Sequence, residues 1–309
     1  MNKIAIFSLS GLGNSLLTAL SLKNSSYLGN LTTIYLTNSF SKSIFQYYVP
    51  DAKFKIYKKK KYIGFGNPSI VRLFLILLDL IISGYEKIII EPNSSPLIIK
   101  IIKFFLFKKV HFIMPNLNKP IENEYQELFN YKNNILNPKN FEFNNDERVV
   151  IYPCVENIDK YSKKITEEQV RSIIESLNEN KIKFKIIVPK YEAEQLSSLF
   201  KSEYIDSIEY IDKFDNFNIL LKYFKQFDVY IGGDTFYYHI MSKSLEKKSY
   251  VIFGSTSYSR FNYTNELTKY FYPNCPNYPK YEKYFSAVNY CNYCKAEYCI
   301  EKVEINLFK

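Results

Sequence analysis

The segment VYIGGDTFYYH, from Val229 to His239, decides the interpretation of this sequence. A short apolar run ends in two glycines, and an acid, a hydroxyl and, one helical turn later, a histidine follow. This order predicts a buried strand, a tight turn and the start of a helix. Backbone N–H groups at a helix start favour negative charge. We therefore expect a diphosphate site formed by the backbone at Thr235 and Phe236 and by the His239 imidazole.

This segment is informative because glycine and histidine are rare in the chain. The chain has 309 residues, of which 9 are Gly and 2 are His, while Lys, Ile, Asn, Tyr and Phe are abundant, as an AT-rich coding sequence would give. Five of the glycines fall in three loops: Gly11, Gly13, Gly232, Gly233 and Gly254. In the alternative interpretation Asp234 only caps a helix and His239 is an ordinary core histidine. The clustering favours a site.

Short apolar runs alternate with helical patterns on both sides of this segment, which predicts an α/β fold with parallel sheets. The runs expected as strands are Ile4–Leu9, Thr33–Leu36, Lys87–Ile90, Val110–Met114, Val149–Pro153, Lys183–Val188, Ile208–Ile211, Val229–Ile231 and Tyr250–Phe253. The segments expected as helices are Asn14–Lys23, Pro68–Ser83, Pro96–Phe107, Thr166–Asn178, Ala193–Phe200, Asn216–Gln226 and Thr235–Leu245. A polar stretch, 137–148, interrupts the alternation. We predict two doubly wound Rossmann-like domains facing a cleft, 1–145 and 146–272, and a Cys-rich segment, 273–309.

The first predicted strand leads into a second glycine loop, Ser10-Gly11-Leu12-Gly13-Asn14-Ser15. A dinucleotide fingerprint would need a third glycine at position 16, where this chain has Leu16, so a nicotinamide or flavin enzyme is disfavoured. The loop is either a ligand-binding turn or a tight strand-to-helix turn capped by Asn14 or Ser15.

These motifs resemble those of glycosyltransferase family 9, the heptosyltransferase family of bacterial surface polysaccharides, whose members have the two-domain GT-B fold. The family has an Asp-(Ser/Thr)-Gly-x-x-His segment, matched here by 234–239, and a Phe-Gly-x-Thr loop, matched by 253–256. Gly11-Leu12-Gly13-Asn14 resembles the family's first loop, and 162–166 resembles its Lys-x-Trp-Pro element. The resemblance extends over the whole chain.

The resemblance implies an inverting transfer from a nucleotide-diphospho-sugar, often ADP-heptose, bound mainly by the C-terminal domain. Lys163 would neutralise charge on the leaving phosphate, although it could equally be one of many solvated lysines. The implied donor site comprises Gly13, Lys163, Asp234, Thr235, Phe236, His239, Gly254 and Thr256. No cofactor is expected for catalysis.

Three residues depart from the family pattern. Asn14 stands where the family commonly has an Asp, and an amide cannot deprotonate an acceptor hydroxyl. We therefore expect Asn14 to orient the acceptor and another acid to serve as base, with Glu91, after the Lys87–Ile90 run, and Asp234 as the candidates. Phe236 replaces a Gly beside the phosphate, and Ile165 replaces the Trp as a packing change.

The C-terminal segment contains four of the five cysteines: Cys275, Cys291, Cys294 and Cys299. The two-residue spacing of Cys291 and Cys294 allows two thiolates to reach one ion. Some family members have such a segment, including protein heptosyltransferases with an iron-binding finger. A structural Zn or Fe site and unliganded thiols both remain open.

The net charge of +10 suggests nucleic acid or membrane as a partner. Nucleic acid is disfavoured because the charge is nearly all Lys spread along the chain, without Arg-rich or RNP-like motifs. Two basic and apolar segments, 53–61 and 98–109, could rest on anionic lipid, or be a solvated loop and a core helix. No signal peptide or membrane-spanning segment is apparent, which predicts a cytoplasmic protein, with possible peripheral contact at the inner face of the inner membrane.

The sequence thus predicts a glycosyltransferase that moves a sugar, such as a heptose, to a glycan or glycolipid acceptor of lipopolysaccharide core or capsule. A catalytically silent relative that binds sugar nucleotide or glycan, and a protein heptosyltransferase, are the alternatives.

Overall fold

The computed structural model describes residues 3–9, 11–27, 31–57, 70–92, 96–106, 109–113, 119–131, 143–144, 146–153, 165–190, 206–254, 267–275 and 299–308, with the backbone only for 70–73, 96–98 and 299. The chain divides into two compact units, one formed by Met1–Asn134 with Asp215–Leu220 and the other by Ile135–Phe214 with Leu221–Lys309. Each unit contains one parallel sheet, so the predicted α/β architecture is confirmed. The domain boundaries expected at 145/146 and 272/273 stay predictions.

The first unit is built on a five-stranded sheet with the order β3-β2-β1-β4-β5. Its elements are β1 (Lys3–Ser8), α1 (Leu12–Lys23), β2 (Leu31–Leu36), α2 (Ser39–Tyr48), β3 (Lys53–Ile56), α3 (Ile70–Ser83), β4 (Lys87–Ile90), α4 (Pro96–Leu106), β5 (Val110–His111) and α5 (Ile121–Phe129). The chain moves outward from β1 to β3 and then returns to the other side of β1. The strand order therefore reverses between β1 and β4, the position where open α/β sheets bind ligands.

The inner strands of this sheet are apolar and buried because helices cover both faces. In β1, KIAIFS, every residue after Lys3 is buried, and β4, KIII, is buried after Lys87. Continuous apolar runs of this kind are typical of parallel strands. In the first and last strands of the sheet, β3 and β5, by contrast, no side chain is fully buried.

One charged cluster interrupts this packing where α3 meets the sheet. The Asp79 carboxylate accepts hydrogen bonds from Lys55 Nζ on β3 at 2.6 and 2.7 Å and from the hydroxyl of Tyr35 on β2. Burial alone raises the pKa of Asp79, but the hydrogen bonds from Lys55 and Tyr35 outweigh it and hold the pKa below its usual value. Asp79, the sole acid of α3, is thus stabilised in its charged form.

Replacing Asp79 with Asn is expected to lower the free energy of unfolding at pH 7 by about 1–3 kcal/mol, the usual worth of hydrogen bonds to a charged group. Because the pKa of Asp79 is lowered on folding, this stabilisation is complete above the pKa of the unfolded chain and is lost as the pH falls below about 4. Urea unfolding at several pH values measures it. Asp212→Asn, which breaks the exposed Lys190–Asp212 pair, is the control and should change little. An equal effect of both variants at neutral pH would contradict the assignment.

The second unit is built on a six-stranded sheet with the order β11-β10-β9-β6-β7-β8. Its elements are β6 (Val149–Tyr152), α6 (Glu167–Glu179), β7 (Phe184–Pro189), β8 (Ile208–Ile211), α7 (Phe217–Phe224, whose first residues group with the first unit), β9 (Val229–Gly233), α8 (Phe236–His239), β10 (Lys248–Ile252) and β11 (Thr268–Phe271). Here the strand order reverses between β6 and β9. A second switch point therefore lies at the end of β9.

The helix after β9 changes geometry along its length. The sequence predicts one helix up to about Leu245, but α8 passes directly into a π turn, Ile240–Ser244. The Leu245 N–H donates to the Ile240 carbonyl at 3.0 Å, the five-residue spacing of a π-helix. Turns of this kind are rare and frequently mark functional sites.

Several elements were not expected from the sequence. The strand β3 lies in the basic segment 53–61, and α2, α5 and β11 also have no counterpart among the predicted elements. The edge strand β3, KFKI, alternates Lys with apolar residues because only part of it is buried. Within the part of the chain that is described, no helix is both long and apolar enough to cross a membrane.

Candidate functional site

The end of β9 places the glycine pair in a crowded backbone turn. The Tyr230 hydroxyl reaches forward along the strand and donates to the Gly233 carbonyl at 3.0 Å. A Cβ atom on Gly232 would collide with that hydroxyl and would lie 2.7 Å from the Tyr152 carbonyl oxygen of β6. Because no side chain fits there, glycine at 232 is required by close packing at the switch point.

The acid and the histidine of the motif lie close together directly beyond this turn. His239 Nε2 is 3.8 Å from Asp234 Oδ1, and the two side chains are only 8% and 4% exposed. The backbone N–H of His239 donates to the Thr235 carbonyl at 3.4 Å, which closes the first helical turn. The structure thus brings together the two polar side chains that the sequence singled out.

Between these two residues the backbone is prepared to start a helix. Thr235 is extended, with φ −128° and ψ 173°, and its hydroxyl lies 3.1 Å from the Tyr230 hydroxyl. Thr235 does not cap the helix with its side chain. Thr235 and Phe236 are both partly exposed, so a ligand can approach the backbone of this turn.

Buried aromatic rings hold the short helix against the sheet. Tyr237 packs edge-on against Tyr152 of β6, with ring centroids 4.4 Å apart, and stacks on Phe224 of α7 at 5.0 Å. The Tyr238 hydroxyl lies 3.3 Å from that of Tyr270 on β11. The position of the Asp234–His239 pair is therefore fixed from both sides. The sequence pattern pointed to the glycines and missed these tyrosines, because tyrosine is common in this chain.

Of the other residues predicted around the donor, the structure describes some and not others. Gly254 is buried immediately beyond β10, the neighbour of β9. Ile165, predicted as a packing change, is buried before α6. Lys163 and Thr256 lie outside the described residues, and their roles stay predictions.

In the first unit the glycine loop leads into α1 at the carboxyl end of β1. The helix begins at Leu12 with Gly11 as N-cap, so Gly13 and Asn14 lie within its first turn and are partly exposed. The Asn14 carbonyl accepts a hydrogen bond from the Tyr125 hydroxyl of α5 at 3.3 Å. The backbone of Asn14 is thus held at the switch point between β1 and β4, and its role in orienting an acceptor stays a prediction.

Glu91, the first residue after β4, is the centre of a buried polar network. The residue is only 1% exposed. Its carboxylate oxygen Oε2 accepts hydrogen bonds from the hydroxyl of Ser8 on β1 at 2.8 Å and from that of Thr18 on α1 at 3.1 Å. Its backbone N–H donates to the Phe7 carbonyl at 3.1 Å. Glu91 therefore joins β1, α1 and β4 at the edge where Asn14 lies. Ser8 and Thr18 were not expected from the sequence, because they lie 83 and 73 residues away from Glu91.

Replacing Glu91 with Ala is expected to lower the free energy of unfolding by about 3 kcal/mol, since two buried hydroxyls lose their acceptor and a cavity remains. Glu91→Gln keeps an acceptor oxygen and should cost about 1 kcal/mol. Thermal and urea unfolding measure both. The matched control is Glu127→Ala on the exposed side of α5, which should stay within about 0.5 kcal/mol of the parent protein. If Glu91→Ala matched this control, the network would not support the fold.

The predicted metal site cannot be assembled from the described residues. Cys275 has a free thiol and is partly buried, Cys291 and Cys294 lie outside the described residues, and of Cys299 only the backbone is described. Among described side chains no group of three or more His, Cys, Asp or Glu could hold a metal. Gln169 of α6 donates to the carbonyls of Ile300 and Val303 at 2.7 and 2.9 Å and so anchors the turn that contains Cys299. The Zn or Fe site stays a prediction.

Sequence comparison and structure comparison give different results. No known family model matches the chain, and no curated protein matches it in sequence. Its structure is similar to that of a glycosyl transferase of family 9 from Veillonella parvula, with a TM-score of 0.58 and 11% identity over 87% of this chain and 86% of that one.

Two structures from E. coli are similar to the same degree. Heptosyltransferase WaaC with ADP gives a TM-score of 0.58 and 13% identity over 87% of this chain and 92% of that one. ADP-heptose lps heptosyltransferase II gives 0.60 and 9%, over 87% and 90%. At such low identity the likeness concerns the fold. The chain has a fold like that of glycosyltransferase family 9, and the predicted GT-B architecture is confirmed.

Proposed function

We propose that this chain is a glycosyltransferase that takes a nucleotide-diphospho-sugar as donor and transfers the sugar, a heptose, to a glycan or glycolipid acceptor with inversion. The observation that carries the proposal is the buried Asp234–His239 pair at the switch point of a sheet whose fold is that of family 9 transferases. Open α/β sheets bind ligands at such positions. One of the similar structures from E. coli contains ADP, and both are named as heptosyltransferases. The proposal extends the nucleotide and the sugar to this chain.

In this proposal the turn after β9 binds the donor diphosphate. The first backbone N–H groups of α8 have no acceptor within the helix, so they can donate to phosphate oxygens. His239 adds an imidazole close to the same turn, with its Nε2 3.8 Å from the carboxylate of Asp234. Since a diphosphate gains charge as it leaves the sugar, donors fixed in advance stabilise the transition state more than the bound substrate.

Two acids of the chain are candidates for the base that removes the proton from the acceptor hydroxyl. Asp234 and Glu91 occupy corresponding positions, each being the first residue after the strand that flanks the switch point of its sheet. Both are buried. Because Glu91 already accepts from Ser8 and Thr18 on one oxygen, it suits the role of holding Asn14 and the start of α1 in place. We propose Asp234 as the acid whose loss affects transfer most directly.

A second candidate function is binding of sugar nucleotide without transfer. Two residues favour it: Asn14 has no basicity, and the ring of Phe236 stands where family members have Gly beside the phosphate. A binding protein of this kind would bind nucleotide sugar as a transferase does, but it would not release nucleotide when an acceptor is added.

The experiment that separates the two is incubation of the full chain with a panel of nucleotide sugars, with and without glycolipid acceptors, followed by mass spectrometry of released nucleotide and product. Acceptor-dependent release of nucleotide supports the transferase. Binding of a donor without turnover, for every donor and acceptor tried, supports the silent relative. If no nucleotide sugar binds, both are wrong.

We further propose that the acceptor is a glycolipid of lipopolysaccharide core or capsule at the cytoplasmic face of the inner membrane. The C-terminal cysteines would serve a structural metal and no catalytic step. A protein acceptor would make the chain a protein heptosyltransferase, and the acceptor panel therefore includes unfolded and folded polypeptides.

A further inference from the structure

The first unit exposes an apolar surface on two neighbouring helices. In α3 five large side chains are between 44% and 74% exposed: Phe74, Leu75, Leu78, Ile81 and Ile82. Their spacing of one, three or four residues places them in one stripe along the helix. The opposite side of α3 packs in the core through Ile76, Leu77 and Leu80. Apolar side chains of α3 thus face both the core and solvent. Since a helix of such composition is normally buried on most sides, the exposed stripe is a candidate contact surface.

The next helix, α4, continues the surface. It contacts α3, and its residues Phe104 and Phe105 are 81% and 57% exposed, while Ile99 and Ile102 face the core. Both helices follow parallel crossovers in the same direction across the sheet, which places them on one face of it. Seven of the 14 exposed large hydrophobic residues among the described side chains therefore share one surface. Scattered apolar residues are ordinary, but a contiguous patch marks an interaction site.

The charges around the patch indicate its partner. Lys100 and Lys103 are exposed on α4, beside the two phenylalanines, and Lys109 is exposed directly after that helix. The sequence of α4 contains no acid, and Asp79, the single acid of α3, is paired with Lys55. Apolar side chains bordered by lysines, with no unpaired acid in either helix, match the boundary between acyl chains and anionic headgroups. A two-fold contact with a second copy would instead bring the lysines of both copies together.

We propose that the α3–α4 surface, defined by these seven apolar residues with Lys100 and Lys103, docks the protein on anionic lipid. The helices have 14 and 11 residues, so they lie in the interface without spanning it. This goes beyond the sequence prediction, which pointed to 53–61 and 98–109 and did not include the α3 stripe. The inference does not depend on the proposed transfer reaction, because it uses no residue of the donor site.

Vesicle co-sedimentation of the full chain tests this surface. The parent protein should bind vesicles of phosphatidylcholine mixed with phosphatidylglycerol, bind pure phosphatidylcholine much more weakly, and dissociate as salt is raised. Lys100→Gln should weaken binding about five-fold, the effect expected of one lysine near an anionic surface. Ile82→Asp and Phe104→Asp should each weaken it at least about ten-fold.

Two matched controls keep the test specific. Ile219→Asp changes another half-exposed isoleucine, and Lys225→Gln removes another exposed lysine, and neither should change vesicle binding. Nucleotide binding by all variants shows that they are folded and that the donor site is independent of this surface. Equal effects of test and control variants, or no preference for anionic lipid, would overturn the proposal. A dimer in light scattering that Ile82→Asp dissociates would assign the surface to a second copy instead.

Discussion

Replacing His239 with Gln is expected to weaken binding of a nucleotide diphosphate about ten- to hundred-fold, which corresponds to the loss of one hydrogen bond to a charged group, about 1.5–3 kcal/mol. The imidazole lies beside the turn after β9 and 3.8 Å from Asp234. Glutamine can fill part of this volume but cannot place a donor nitrogen where the ring has it. Titration calorimetry with ADP and UDP measures the affinity, and released nucleotide measures transfer.

The chain provides its own control for this substitution. His111, the other histidine, is exposed on β5 of the first unit, and His111→Gln should leave nucleotide binding unchanged. Because His239 is buried, its variant is first compared with the parent protein in thermal unfolding. Asp234→Asn, which keeps shape and removes charge, gives a second measurement and should lower transfer at least about hundred-fold if this acid is the base. Native-like variants with parent affinity and turnover would show that the donor does not bind at this turn.

Replacing Gly232 with Ala is expected to lower the free energy of unfolding by about 3 kcal/mol, the upper range for overpacking a core. The added methyl group would overlap the Tyr230 hydroxyl and stand 2.7 Å from the Tyr152 carbonyl, which belongs to the neighbouring strand and cannot move alone. Relief would require β6 and β9 to separate. We also expect nucleotide affinity to fall, since the same turn positions Asp234.

Urea unfolding of three variants tests the cause of this effect. Gly11→Ala is the matched control because nothing lies within 4 Å of a Cβ there, and its stability should stay within about 0.5 kcal/mol of the parent protein. The double variant Gly232→Ala with Tyr230→Phe removes the hydroxyl and should recover only part of the loss, as the carbonyl contact remains. Full recovery would mean that the tyrosine alone limits the space. No loss in the single variant would contradict the crowding.

The sequence predicted those strands best whose local pattern agrees with their burial. The bounds of β4 and β8 were predicted to the residue, because polar residues border each short run on both sides. The edge strand β3 was missed because none of its side chains is fully buried and its two lysines resemble a surface loop. Residue propensity and periodicity are poor predictors of a strand that pairs with one neighbouring strand only.

Some contacts of the candidate site could also be predicted from local sequence, and others could not. The proximity of Asp234 and His239 could be predicted, since five residues and one turn separate them. The hydrogen bonds of Glu91 to Ser8 and Thr18 could not, because they depend on how β1, α1 and β4 come together over more than 70 residues of chain. The hydroxyl of Thr235, the N-cap residue of α8, lies 3.1 Å from that of Tyr230 and does not cap the helix, which is also a tertiary effect. Local spacing identifies residues of a site, and packing decides what each of them contacts.

The π turn after His239 has a consequence for sequence comparison. A π turn holds one residue more than the α-helical turn it replaces, so it can arise from a single-residue insertion that an existing helix absorbs. In this chain such a residue would lie between the histidine and β10, where the bond from Lys247 N–H to the Met241 carbonyl, at 2.9 Å, closes the helix. An alignment that forbids gaps inside helices would then shift β10 and Gly254 by one position relative to a protein with a regular α-helix here. Allowing a gap at 240–244 would restore the register of the loop that contains Gly254.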